Sequence, residues 1–303
     1  AALDGTALHV SNSVFRSNQA GRGGAIASDM NEVRITGSSF LRNEATVAFG
    51  RAGAVETLKD LTICGTLFEG NTSGEDGGAV SRAWGSNEPT WDITYSQFVD
   101  NDAGESGGAV FFDDGVVRIE KSAFVRNRAG EGGAVAIADA EAEILNSTFF
   151  ENTSRANGGA LLVDTATLFV ENSTLVRNRT QGLDATGAAL DDNSSTVALR
   201  NSVFAGNVSS NPQHDGACGG SYDSLGGNVE FPAPTRADPC TEDVMLEDPV
   251  MAEADETGFT TILVPSSGSP AIGLGMGCPT DDQHDRPRPG TGCTSGAYEV
   301  NSE

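Results

Sequence analysis

Acidic side chains recur at nearly fixed places in this sequence and are the residues best suited to chemistry. Each follows the alanine of a Gly-Gly-Ala-type motif by two to five positions: Asp113, Asp114, Asp139, Asp164, Asp191 and Asp192. If the motif repeats in space, neighbouring carboxylates stack into an acidic ridge. Such a ridge suits Ca²⁺, which takes six to eight oxygen ligands, or an inverting sugar hydrolase, whose two carboxyl groups stand about 6.5–9.5 Å apart. Aspartate also suits a polar turn after a strand, and this structural interpretation is favoured over both ligand sites.

Basic residues and histidine give two weaker candidates. A polysaccharide lyase needs a basic group beside a carboxylate or calcium, and arginines such as Arg126 and Arg177 precede a repeated asparagine. Strand alternation predicts that these side chains point outward and pair with acidic neighbours. Asp281, His284 and Asp285 form a compact acid–base cluster near the end of the chain. Turn structure is the favoured interpretation of that cluster as well.

Three aromatic residues are candidates for a binding surface. Trp84, Trp91 and Tyr95 lie in the longest interval between repeated asparagines, where the segment from Trp84 to Trp91 is predicted to protrude as a loop. Exposed rings stack on sugars or on a protein partner, whereas buried rings would pack on the body of the protein. The sequence leaves these two alternatives open.

The elements that position these residues are repeats. An aromatic residue or leucine is followed three positions later by asparagine eight times, at intervals of 25 to 30 residues between asparagines. The pairs are Phe15 and Asn18, Phe40 and Asn43, Phe68 and Asn71, Phe98 and Asn101, Phe124 and Asn127, Phe149 and Asn152, Leu175 and Asn178, and Phe204 and Asn207. Gly-Gly-Ala-Val or a close variant lies between consecutive pairs. Self-similarity at this period indicates a solenoid, propeller or array.

Short strands fill each repeat. In the repeat that begins at Gly132, apolar residues alternate over residues 134–137 and 142–149, with polar turn residues between. This pattern predicts strands with one buried face, and the spacing of a leucine-rich repeat is absent. We therefore predict an all-β parallel β-helix of about eight rungs over residues 1–210.

Stacked rungs turn each motif into a column with a spacing of roughly 4.8 Å. The phenylalanines are predicted to form an internal aromatic stack. The asparagines are predicted to form an amide ladder at a turn, in a left-handed backbone conformation that asparagine tolerates. The glycines are predicted at a corner that needs a positive φ or a close approach of neighbouring backbones.

The linked Phe-x-x-Asn and Gly-Gly-Ala-[Ile/Leu/Val] motifs resemble the repeat of the polymorphic outer-membrane proteins of chlamydiae and of similar proteins in environmental bacteria. The resemblance covers residues 5 to about 207. It implies a right-handed parallel β-helix, displayed on the bacterial cell surface or secreted, with an adhesive or interaction function.

The remaining residues, 211–303, are predicted to form a loop-rich cap. Ser-Pro-Ala-Ile, ending at Ile272, and Gly-Ala-Tyr-Glu, ending at Glu299, resemble the closing region of secreted bacterial β-helix proteins. That resemblance implies a cap and tether region instead of an active site.

Cysteine placement predicts an oxidising compartment. Cys218, Cys240, Cys278 and Cys293 lie in the tail, and their simplest pairing is Cys218 with Cys240 and Cys278 with Cys293. Zinc is the competing interpretation, but no Cys-x-x-Cys pair is present. Cys64 stands apart in the repeat region and is interpreted as a small buried apolar residue.

Charge narrows the possible partners. The 303 residues carry 18 basic and 43 acidic side chains, a formal net charge of −25, so nucleic acid and anionic membranes are poor partners. Bound Ca²⁺ would relieve the self-repulsion. No apolar run is long enough to span a bilayer as a helix.

Two functional hypotheses follow. The first is a secreted or surface-displayed β-helix that acts as a non-enzymatic structural or adhesive module, with an extracellular polysaccharide or a protein receptor as its partner. The second is a carbohydrate-active hydrolase or lyase that works along an acidic face of the β-helix. The second rests on analogy at the level of fold.

Overall fold

The computed structural model describes residues 6–46, 50–82, 85, 88–256 and 258–300, and these contain strands and turns but no helix. They therefore include no helix long and apolar enough to cross a membrane. The chain winds into a right-handed parallel β-solenoid of about eight turns, as the repeats predicted.

The strands follow one another in a regular order along the chain. The first four turns contain β1 (Ala7–Ser11), β2 (Val14–Arg16), β3 (Gln19–Ala20), β4 (Ile26–Ser28), β5 (Glu32–Thr36), β6 (Ser39–Leu41), β7 (Glu44–Ala45), β8 (Val55–Thr57), β9 (Asp60–Cys64), β10 (Leu67–Glu69), β11 (Thr72–Ser73), β12 (Val80–Arg82), β13 (Thr90–Thr94), β14 (Gln97–Val99) and β15 (Asp102–Ala103). The next four contain β16 (Val110–Glu120), β17 (Ala123–Val125), β18 (Arg128–Ala129), β19 (Val135–Leu145), β20 (Thr148–Phe150), β21 (Thr153–Ser154), β22 (Leu161–Asp164), β23 (Thr167–Glu171), β24 (Thr174–Val176), β25 (Arg179–Thr180), β26 (Leu190–Asn193), β27 (Thr196–Arg200), β28 (Val203–Ala205) and β29 (Val208–Ser209). After these come β30 (Asp223–Ser224), β31 (Val229–Phe231), β32 (Gly275–Met276) and β33 (Thr291–Cys293).

Three parallel sheets form the walls of the solenoid. Sheet 1 runs β1-β5-β9-β13-β16-β19-β23-β27-β30, with β4, β8, β12, β22 and β26 paired beside this path. Sheet 2 runs β2-β6-β10-β14-β17-β20-β24-β28-β31, and sheet 3 contains the two-residue strands from β3 to β29. Equivalent residues of successive turns face each other in register, for example Phe124 opposite Phe149.

Alternation along the strands produces the core. In β19, Val135, Ile137, Ala142 and Ile144 are buried, while Glu141 between them is exposed. Successive side chains of a strand point to opposite faces, so the apolar half of each turn meets the apolar half of its neighbours. One continuous hydrophobic cluster extends through the solenoid from Ile26 to Cys240.

The phenylalanine column forms the predicted stack. Phe98 and Phe124 have ring centroids 4.8 Å apart with planes 1° from parallel, and the next ring, Phe149, stands 4.8 Å further on. Five such stacked pairs join Phe15 to Phe149. Leu175 interrupts the stack but is equally buried.

The asparagine column forms the predicted ladder, but the asparagines do not have the predicted backbone conformation. The left-handed residue is the one before each asparagine, as at Asp100 and Arg126, both with φ 53°. The prediction that asparagine itself takes this conformation is wrong. Asn101 and Asn127 point into the core, whereas the residue before each makes the corner.

Glycines serve both predicted purposes at the corner formed by the Gly-Gly-Ala motif. Gly132 has a φ of +58°, and a Cβ on Gly133 would lie 2.1 Å from the carbonyl oxygen of Gly159 on the next turn. The first glycine therefore turns the chain, and the second allows the backbones of adjacent turns to meet.

The solenoid continues beyond residue 210, because β30 pairs with β27 and β31 pairs with β28. The rest of the tail then folds back along the outside of sheet 2. There Leu263 and Ala271 of the tail pack with Val125, Phe150 and Val176 in a second hydrophobic cluster. The tail thus covers one flank of the solenoid as well as following its last turn.

Candidate functional site

The six predicted aspartates do not stack into one ridge. Asp164 is in register with Ala138 and Asn193, not with another aspartate. Asp114 and Asp139 occupy equivalent left-handed turn positions, with φ 64° and 46°, and the residue that follows Asp164, Thr165, takes that conformation at 52°. Asp113 lies in register with Ala138. The ridge prediction is wrong because the distance from the motif alanine does fix the register, and the six aspartates stand at different distances from it.

The last two predicted aspartates, Asp191 and Asp192, lie in two further columns. Asp191 is opposite Leu162 and Asp192 is opposite Val163. Asp191 is buried and accepts a hydrogen bond from the Thr186 hydroxyl at 2.9 Å. Burial raises the pKa of Asp191 to about 6.

One buried arginine lies close to Asp113 and Asp114. The buried Arg82 guanidinium lies 3.9 Å from Asp113 Oδ2 and 3.4 Å from Asp114 Oδ2. Burial raises the pKa of Asp113, and the charge of Arg82 opposes this shift. Within the described part of the chain, no three His, Cys, Asp or Glu side chains are grouped so that they could hold a metal ion. Ca²⁺ binding therefore stays a prediction from the sequence.

The sheet 1 face carries two adjoining grooves. The first, the acidic groove, encloses about 600 Å³. It is lined by Glu88, Asp114, Gly115, Val116, Asp139, Ala140, Glu141, Thr165, Ala166, Thr167, Ser194 and Thr196. Its four carboxylates, Glu88, Asp114, Asp139 and Glu141, come from three neighbouring rungs. The groove thus gathers two of the predicted aspartates with two glutamates that the sequence did not single out.

The second groove, the apolar groove, encloses about 440 Å³ beside the first. It is lined by Thr90, Trp91, Asp92, Val116, Val117, Arg118, Glu141, Ala142, Glu143, Thr167 and Phe169. Val116, Glu141 and Thr167 belong to both grooves. The two therefore form one continuous depression along the solenoid.

The predicted aromatic surface is not assembled by the structure. Trp84 lies outside the described residues. Trp91 is fully buried, and its indole nitrogen donates to the carbonyl oxygen of Lys59 at 3.0 Å. Its alternation with Thr90 and Asp92 in β13 turns the ring inward against Phe112. Of the two alternatives, packing on the body of the protein is correct for Trp91.

Tyr95 joins the solenoid to the tail. Its hydroxyl donates to Asp285 at 2.7 Å, and the ammonium of Lys121 donates to Tyr95 at 3.1 Å, to Asp285 at 2.6 Å and to Asp281 at 2.7 Å. Burial and the Asp285 hydrogen bond raise the pKa of Tyr95. Burial lowers the pKa of Lys121, but its hydrogen bonds outweigh burial and raise it. We call Tyr95, Lys121, Asp281 and Asp285 the clasp.

The histidine of the predicted acid–base cluster is also structural. His284 lies beside Thr260, with its Nε2 3.2 Å from the carbonyl oxygen, and its main-chain nitrogen donates to Asp282 at 2.8 Å. Asp281 and Asp285 of this cluster belong to the clasp. Residues 281–285 therefore fasten the tail to the solenoid.

Family comparisons agree with this architecture. Residues 78–230, which are half of the chain, match the family model of the right handed beta helix region. The chain belongs to this β-helix family. Residues 65–81 match the Chlamydia polymorphic membrane protein repeat, so the predicted resemblance is confirmed, and the repeat indicates a bacterial surface location. No curated protein and no solved structure matches the chain.

Outward arginines of the β-helix pair as predicted. Arg126 lies 3.1 Å from Asp100 and 3.0 Å from Glu256 of the tail, and Arg177 lies 3.5 Å from Glu253. These contacts give the arginines a structural role on the flank that the tail covers.

Both predicted disulfides are present, between Cys218 and Cys240 and between Cys278 and Cys293. Cys64 is free and half-buried. Its predicted full burial is wrong, because the alternation of β9 turns Leu61 and Ile63 inward and leaves Cys64 on the outer side.

Two carboxyl groups with raised pKa values, Asp76 and Glu56, lie outside both grooves. Burial raises the pKa of Asp76 to about 6 although Arg51 lies 2.9 Å away. Burial also raises the pKa of Glu56, which is held by Arg22. Neither side chain lines the acidic or the apolar groove.

Proposed function

We propose that this β-helix protein is a non-enzymatic binding module that is exported from the cell. It contacts its partner through the outer face of sheet 1. The observation that carries this proposal is the continuous depression formed by the acidic and apolar grooves. The tail covers sheet 2 from β14 to β31, whereas Thr90, Val116, Glu141 and Thr167 remain exposed on sheet 1. The adhesive role follows because an exposed concave face is where a rigid solenoid contacts other molecules.

The two carboxyl groups whose pKa burial raises to about 6 lie outside the groove, which supports a role without catalysis. A general acid needs a raised pKa at the place where substrate binds. Asp76 and Asp191 have such pKa values but face Arg51 and Thr186 outside the groove. The two disulfides suit an exported protein.

A carbohydrate-active enzyme is the second candidate, and one observation favours it. Glu88, Asp114, Asp139 and Glu141 line the same groove, and a pair of carboxylates is the minimum equipment of a glycoside hydrolase. Incubation of the purified protein with acidic and neutral polysaccharides distinguishes the two functions. We expect no release of reducing or unsaturated ends. Release that disappears in a Glu141→Gln variant would establish the enzyme and overturn our proposal.

Binding is tested by a separate measurement. Purified protein is applied to arrays of extracellular polysaccharides and to intact cells, with and without the groove variant Val116→Arg. We expect saturable binding to at least one surface that Val116→Arg weakens. Binding that is unchanged by this substitution would place the contact on another face.

A further inference from the structure

We propose that the joined acidic and apolar grooves dock an extended, positively charged peptide segment of a partner protein, which seats an apolar side chain against Val116 and Phe169. This inference rests on the proposed function and names the chemical class of its partner. It follows from the length, the charge and the lining of the depression.

The length of the depression fits a short extended segment. Thr90, Val116, Glu141, Thr167 and Thr196 are in register on five successive turns. Four steps of about 4.8 Å span about 19 Å, which is the length of roughly six extended residues.

The charge of the depression selects a cation. Among the described lining residues, six are acidic: Glu88, Asp92, Asp114, Asp139, Glu141 and Glu143. Arg118 is the single basic one, and its guanidinium lies 2.9 Å from Glu120 and 3.9 Å from Glu143. Arg82 lies 3.4 Å from Asp114, so the excess negative charge of the depression rests mainly on the other four acids. Stacking at the strand spacing brings like charges close, so lysine or arginine side chains would relieve repulsion as well as find partners.

The apolar groove selects a protein segment in preference to a sugar. Val116 is 43% exposed, and the Phe169 ring is held from one side by Arg200, whose Cζ lies 5.2 Å from the ring centroid. Trp91 contributes no indole face to a ligand because it is fully buried. Val116 and a partly covered Phe169 suit an aliphatic side chain better than the flat stacking that sugars require.

Three fluorescent peptides test the inference by anisotropy. The probe is Gly-Lys-Leu-Arg-Val-Lys-Gly. One comparison peptide replaces its basic residues by Glu and Asp, and another replaces Leu and Val by Ser. We expect saturable binding of the probe, with affinity at least about tenfold weaker for both comparison peptides.

Paired substitutions test the location. Asp139→Asn with Glu141→Gln removes two groove charges, and asparagine tolerates the left-handed backbone at position 139, where φ is 46°. The matched control is Glu242→Gln with Asp243→Asn, two exposed acids outside the grooves. We expect the groove pair to weaken probe binding by about tenfold and the control pair by less than about twofold.

A third variant avoids any change of charge. Val116→Ser leaves the carboxylates in place, so we expect weaker binding of the probe and unchanged binding of the peptide that carries Ser.

Equal losses of probe binding from the groove pair and the control pair would overturn the inference, since they indicate general attraction to an acidic protein. Absence of saturable probe binding also overturns it. If cells or polysaccharides still bind in that case, the binding module stands and only the peptide partner is wrong.

Discussion

Asn101 donates its side-chain amide to Oδ1 of Asn127 at 2.9 Å, and the same oxygen accepts the main-chain N–H of Asn101 at 3.1 Å. The amide of Asn127 donates in turn to Asn152 at 3.0 Å and to the carbonyl oxygen of Phe98 at 3.0 Å. Each internal asparagine therefore satisfies two donors and one acceptor inside the core. An amide at this position ties three successive turns together.

Loss of one internal amide should destabilise the solenoid. Asn127→Ala leaves the N–H and side-chain amide of Asn101 without their acceptor, and buried unsatisfied groups cost about 1–3 kcal/mol each. We expect a loss of about 2–4 kcal/mol in the free energy of unfolding, measured by urea denaturation. Asn18→Ala is the matched control, because the same column position is exposed there; an equal loss from both variants would contradict the ladder's role.

The aromatic stack should tolerate leucine better than alanine. Leu175 already occupies the column and is fully buried. Phe124→Ala empties a space between Phe98 and Phe149, at a cost of about 3–5 kcal/mol, whereas Phe124→Leu should cost about 1–2 kcal/mol. Thermal and urea unfolding give the order. Equal destabilisation by both substitutions would show that ring stacking, and not volume, sets the stability.

The columns were predictable because translation along the axis converts sequence spacing directly into contact. One column escaped notice although its signal is equally regular. A serine or threonine lies two positions before each aromatic residue or leucine of the motif, and the main-chain N–H of Ser122 donates to the hydroxyl of Ser147 at 3.2 Å. Serine is common on polar surfaces, so its repetition is easily mistaken for turn composition.

Contacts outside the repeat were beyond prediction for a physical reason. Tyr95 and Asp285 are 190 residues apart, and no periodicity relates the tail to the turn that it covers. The acidic residues fail differently. Asp164 and Ala138 both lie four positions after a motif alanine and are in register, so a column of carboxylates needs aspartate at the same position of successive repeats.

The clasp should control the attachment of the tail. Lys121→Asn removes the cation and keeps the left-handed backbone, since Asn146 takes the same conformation at the equivalent place on the next turn. We expect faster hydrogen exchange over residues 281–288 with little change in the core strands. Lys59→Gln, which changes the other lysine of the chain, is the control. Unchanged exchange in Lys121→Asn would show that apolar packing alone fastens the tail.

Acid should weaken the clasp in a defined window. Hydrogen bonds from Lys121 and Tyr95 lower the pKa of Asp285. Because this folded-state pKa lies below the unfolded value of about 3.9, the stabilisation is present above that value and is lost as the pH falls through the lower one. The protection of residues 281–288 against hydrogen exchange, relative to the intrinsic rate at each pH, should therefore fall below about pH 4, and this fall should be absent from Lys121→Asn.

The disulfides should stabilise the end of the solenoid. Cys218 and Cys240 close a loop with a sequence separation of 22, and removing such a bridge costs roughly 3 kcal/mol. A Cys218→Ser, Cys240→Ser variant should therefore unfold at lower denaturant concentration. Alkylation without reductant should label Cys64 alone; labelling of any tail cysteine in the folded protein would contradict the pairing.

Ionisation of Asp191 should make the protein less stable as the pH rises. Burial raises the pKa of Asp191 to about 6, the charge of Asp192 adds to this shift, and the Thr186 hydrogen bond and His214 oppose it. Since the folded-state pKa exceeds the unfolded value of about 3.9, the folded chain holds the proton more tightly, and stability falls between about pH 4 and pH 6.

Asp191→Asn keeps an acceptor for Thr186 and should remove up to about 2–3 kcal/mol of this loss, seen as a higher unfolding free energy than wild type at pH 7. Asp76, with a similar pKa, should supply the slope that remains. Urea unfolding at pH 4, 5, 6 and 7 measures both effects, with the exposed Asp223→Asn as control. An identical pH profile for Asp191→Asn and the wild type would show that Asp191 is not desolvated in the folded protein.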